Sequence, residues 1–80
     1  MKYLIVEDFS GGVIPFIFPD RVDHADFNDV LPYGKVVSAG YIALKAGSLE
    51  CTGLSKELGV KARPEDAGII AAALSGTDEY

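Results

Sequence analysis

Apolar residues come in short blocks, and the spacing inside each block predicts an element. KYLIVEDF (2–9) is a dense run of β-formers that stops at SGG, a turn signal. VIPFIF (13–18) follows as a second strand, with Gly11-Gly12 as a tight hairpin between them. Pro15 cannot donate to a ladder, which places this strand at a sheet edge or gives it a bulge, and Pro19-Asp20 ends it.

The pattern then changes period. Phe27, Val30 and Leu31 stand at i, i+3 and i+4, the stripe of a short helix. With Asp23 as N-cap, Asp26 falls at N3, where the helix dipole favours negative charge, and an aspartate cap accepts from free N–H groups. Val22 and Phe27 then have the spacing of a hydrophobic staple. Pro32 and Gly34 stop the helix after two turns.

KVVSAGYIALKAGSLECTGL (35–54) reads as a second hairpin. Val37, Ala39, Tyr41 and Ala43 alternate onto one face, and Val36, Ser38, Gly40, Ile42 and Leu44 onto the other. Both faces are apolar enough for a central strand covered on both sides. Lys45-Ala46-Gly47 fits a three-residue turn with glycine left-handed. SKELGVKAR (55–63) is a connector, a helical turn closed by Gly59 and then a short extended piece. PEDAGIIAAALSG (64–76) is the clearest helix: Pro64 suits N1, Glu65 and Asp66 occupy the first turn, and Gly76 ends it. Ala67, Ile70, Ala71 and Leu74 share its core face.

The order is β-β-α-β-β-α. Strands grouped in pairs with helices between them predict an α+β fold with a mainly antiparallel sheet of about four strands. Residues 1–76 form one small domain and 77–80 a frayed acidic tail.

Composition narrows the function. Eighty residues, 49% of them apolar, make one globular domain with little stability to spare, so self-association is a natural way to bury more surface. The single cysteine, Cys51, excludes an internal disulfide framework, and mid-strand it is expected in the core. No run approaches the roughly 20 apolar residues that span a bilayer. A cytoplasmic location follows as the expectation.

The net charge of −5 is unevenly spread: −4 over residues 1–34, +3 over 35–63 and −4 over 64–80. An acidic surface disfavours direct nucleic-acid binding, which depends on a basic face.

Four stretches hold candidate chemistry. DRVDHADFNDV (20–30) gathers acids around His24, the only histidine, but lacks the glycine and distal glutamate of a calcium loop and a second imidazole for a transition metal. Helix capping is the better account. Ser10-Gly11-Gly12 matches neither a nucleophile elbow nor a phosphate loop. Lys61 and Arg63 precede a helix start and together could hold a phosphate or carboxylate, but Glu65 and Asp66 occupy the same first turn, and self-neutralisation is the better reading. In PFIFP, Phe16 and Phe18 share a side of the strand with Ile14, either as core or as an interface.

No convergent acid, base or metal set is readable, so the expectation is a protein without catalytic activity or cofactor. The leading reading is a small acidic inhibitor or adaptor, of the kind phages and mobile elements carry, that occludes a basic or nucleic-acid-binding surface of a partner protein. Asp20, Asp23, Asp26 and Asp29 would dock, with Phe16, Phe18 and Tyr33 as anchors. Two alternatives stand beside it: a structural or regulatory homo-oligomer, and a binder of small anionic ligands through Lys56, Lys61 and Arg63.

Overall fold

A computed structural model describes residues 1–31 and 35–76 of the chain. The fold is α+β, with elements β1 (Lys2–Glu7), β2 (Val13–Phe18), α1 (His24–Asp29), β3 (Lys35–Lys45), β4 (Ser48–Thr52), β5 (Leu54–Ser55), β6 (Val60–Lys61) and α2 (Asp66–Gly76). A four-stranded antiparallel sheet in the order β2-β1-β3-β4 is joined by a small β5–β6 hairpin.

β1 is hydrogen-bonded on both edges, and Tyr3, Leu4, Ile5 and Val6 are completely buried. That explains its lack of alternation, because helices cover both faces. On one face, Tyr3 and Ile5 pack with Ile70 of α2, joined by Ile42, Leu49 and Ile69. On the other, Leu4, Phe18 and Ala39 pack with Phe27 of α1, Val22 and Leu58. β2 is an edge strand, as Pro15 required.

Local geometry departs from expectation in several places. The β1–β2 connection is a five-residue loop, Asp8 to Gly12, rather than a two-glycine turn. Asp8 organises it: its carboxylate accepts from the Ser10 N–H at 2.9 Å, the Ser10 hydroxyl at 2.7 Å and the Gly12 N–H at 2.9 Å. The bond from Ser10, followed by that from Gly12, holds the carboxyl below the usual range.

β3 carries a bulge against β1. Ile5 faces Ser38 while Val6 faces Val36, so Val37 is the extra residue. The bulge undoes the expected strict alternation, for Val36 joins Ala39 on the α1 face and Val37 joins Ile42 on the α2 face. The β3–β4 turn has two residues, Ala46 and Gly47, with φ of +51° and +80°. Positive φ at both is the I′ turn that suits the twist of a hairpin.

Asp23 stands at the N-cap of α1, but its side chain makes no capping bond and lies 3.8 Å from Lys2 Nζ instead. β4 gives way to Gly53 (φ +88°), where a Cβ would press on the Tyr41 ring. Gly40 permits another close approach: a Cβ there would collide with the Thr52 carbonyl oxygen. The connector 55–63 contains the expected turn, with Gly59 N–H donating to Ser55 O at 3.0 Å, but its flanks pair as β5 and β6.

Helix α2 begins at Asp66. With Arg63 in the N-cap place, Pro64 stands at N1 and Asp66 at N3, and the Arg63 N–H donates to Asp66 Oδ2 at 2.8 Å. That is the return half of a capping box. Among the described residues no helix is long and apolar enough to cross a membrane. The tail 77–80 lies outside the described residues.

Candidate functional site: a groove at the β5–β6 hairpin

β4 pairs only with Tyr41 to Lys45 of β3. The flank of β3 before Tyr41 is left to the β5–β6 hairpin, which packs against it. Between this hairpin, Val37 of β3 and Arg63 at the head of α2 runs an open groove of about 500 Å³. Val37, Leu54 and Val60 give it apolar walls, and Lys56, Lys61 and Arg63 line it with positive charge. The three cations named from sequence therefore converge on one surface. Local structure does this: antiparallel pairing sets Leu54 against Lys61 and Ser55 against Val60, and Lys56 starts the turn that joins the two short strands.

Two residues that line the groove each carry a buried polar atom without a hydrogen-bond partner among the described residues, Ser55 Oγ and Arg63 Nη2. Ser55 is only 4% exposed. Leaving a buried donor unmade costs about 1–3 kcal/mol. Leu54, Ser55 and Lys56 also form the wall shared with a second hollow of about 310 Å³, where Lys2, Asp23, His24, Tyr41 and Glu57 lie.

Arg63 is held from behind. Its Nε donates to Asp66 Oδ1 at 3.0 Å, and Nη1 lies 3.7 Å from Glu65. Asp66, completely buried, also accepts from the Tyr3 hydroxyl and from Ser38 Oγ at 3.0 Å. Burial pushes the Asp66 carboxyl up, but the bonds from Tyr3, the Arg63 backbone, Ser38 and the Arg63 side chain outweigh it and leave the group below its ordinary range. The Tyr3 hydroxyl is raised, by burial first and then by its bond to Asp66. The opposition between Arg63 and its neighbouring acids, expected from sequence, is thus real at Nε and partial at Nη1. Nη2 is left over.

The remaining candidates are scattered. Phe18 is buried in the α1-side core and stacked on Phe27 with centroids 4.3 Å apart, and half-buried Phe16 packs on Phe27 at 5.8 Å. Tyr33 lies outside the described residues. Asp20, Asp23, Asp26 and Asp29 are exposed, with Asp20 3.0 Å from the Met1 amino group. His24 is buried, donates from Nε2 to Gly40 O at 3.0 Å and meets Phe18 and Tyr41 edge-on. Cys51 is half-buried beside the α2-side core, and burial raises its thiol.

Sequence reasoning missed Ser55, Tyr3 and Ser38. A serine within a short strand gives no sign of its partners, and the only hint of the buried Asp66 was the capping-box spacing of Arg63 and Asp66. A scan against protein-family models and searches of curated proteins and of solved structures return no match for this chain.

Proposed function

We propose that this protein is a binding protein that takes an anionic group into the groove between the β5–β6 hairpin and Arg63. The observation that carries the reading is the pair of unpartnered buried groups, Ser55 Oγ and Arg63 Nη2, on residues that line one cationic groove. An anion supplies the acceptors both lack once the hydroxyl rotates and the guanidinium, whose side chain is 28% exposed, turns toward the groove. Lys56 and Lys61, both exposed, add attraction from the rim without needing to be buried. Protein docking through the acidic aspartates draws less support, because its aromatic anchors Phe16 and Phe18 are engaged in packing.

The test is a titration of the full chain with acetate and with inorganic phosphate, followed by amide NMR shifts. Shifts confined to residues 54–63 and Val37 are expected. Lys56→Gln and Lys61→Gln should each weaken binding about fivefold at low salt, the effect of roughly 1 kcal/mol per charge near a wet surface. No shift in this region with either anion refutes the reading.

A further inference from the structure

We propose that the ligand of this groove is a monocarboxylate carried on an apolar body. The inference rests on the anion-binding reading above and adds the charge and shape of what binds.

Charge comes first. Lys56, Lys61 and Arg63 line the groove, while Glu65 and Asp66 sit against Arg63 at 3.7 Å and 3.0 Å. Three positive and two negative groups leave a single net positive charge, which one negative charge balances. A phosphate monoester carries about −1.5 to −2 at pH 7. Its second charge would stand unmatched beside two carboxylates already bound to the guanidinium. A carboxylate brings one charge and two acceptor oxygens, the number of unpartnered groups on Ser55 and Arg63.

Shape comes second. A site for a bare ion needs only polar walls, whereas this groove is walled by Val37, Leu54 and Val60. Leu54 is 49% exposed, as several other large apolar side chains of this chain are, and its exposed surface lies in the groove wall. The groove of about 500 Å³ is several times larger than one carboxylate requires. An apolar chain or ring attached to the carboxylate would cover Leu54 and fill the space, with the lysine stems lying alongside.

The experiment uses the full chain and a homologous series: acetate, butanoate, hexanoate and octanoate, with hexanamide as the uncharged control and an N-acetyl dipeptide ending in leucine as a second source of the same chemistry. Full burial of a methylene contributes about fourfold in affinity, and a groove open on one side gives about twofold per methylene. Affinity should climb by that step along the series, with shifts staying at residues 54–63 and Val37, and hexanamide should bind more weakly than hexanoate. The dipeptide binding tighter than hexanoate would assign the carboxylate to a peptide C-terminus, and the reverse to a free acid. Leu54→Ser should flatten the chain-length dependence. Lys61→Gln should lower every member equally. If acetate and phosphate shift the groove but chain length has no effect, this inference falls and the anion reading stands. If no probe shifts the groove, both fall. Octanoate shifting residues elsewhere, such as Ile17 and Leu44, would mark non-specific apolar contact and also overturn it.

Discussion

Ser55 shows how far a single residue can run against packing logic. Its hydroxyl is buried in a two-residue strand with no partner among the described residues. A buried hydroxyl without a bond is a net cost, so Ser55→Ala should leave stability unchanged or raise it by about 1 kcal/mol in urea denaturation. The same variant should weaken acetate binding. A loss of stability of 1 kcal/mol or more would show that the hydroxyl is bonded in the folded protein and would remove a main support of the groove. The other polar residues near this end behave conventionally, since His24 and Ser38 both have partners for their buried atoms.

Among the elements, the β3–β4 hairpin carries a visible compromise. Ala46 holds φ at +51°, a conformation that costs an L-residue with a Cβ about 1–2 kcal/mol. Asparagine tolerates this region and is preferred before glycine in I′ turns. Ala46→Asn should therefore stabilise the protein by about 0.5–1 kcal/mol, read as a rise in the urea midpoint at unchanged slope. An unchanged or lowered midpoint would mean that the turn does not hold this geometry in solution. The sequence expectation put one more residue in this turn because a lone glycine fits either length. Only the pairing of Leu44 with Leu49 decides between them. The bulge at Val37 was equally invisible, since Val36-Val37 satisfies either face by composition and the register against β1 makes the choice.

At the scale of the whole molecule, the Tyr3–Asp66–Ser38–Arg63 cluster joins the central strand, β3 and the last helix. Its titration should shape global stability. Asp66 is lowered in the fold, so its contribution is present above the ordinary aspartate value of about 3.9 and is lost as pH falls through the lower folded value. Tyr3 is raised, so its contribution is complete below about 10 and is lost as pH rises through the folded value. Tyr3→Phe should cost about 1.5–3 kcal/mol at neutral pH, the worth of a hydrogen bond to a charged group. Relative to the parent it should show a shallower acid loss and a smaller alkaline loss, measured as denaturation midpoints from pH 2 to 11 on the usual range of these groups. Parallel pH profiles would show that the cluster does not couple to folding.

What the sequence determined by itself was local and periodic. Apolar blocks, prolines and glycines set the number, kind and order of the main elements, because turn chemistry and hydrophobic spacing act within a few residues. The four-stranded antiparallel sheet and the edge position of β2 follow from that information. The tertiary structure decided what depends on distant partners. It turned Asp66 from a solvated first-turn acid into a buried acceptor for Tyr3, placed Phe18 in the core, and paired the two halves of the 55–63 connector. It also gathered Lys56, Lys61 and Arg63 with Ser55 around one groove. Burial and hydrogen bonding of a polar side chain depend on which strand and helix arrive beside it, and no spacing along the chain encodes that arrival.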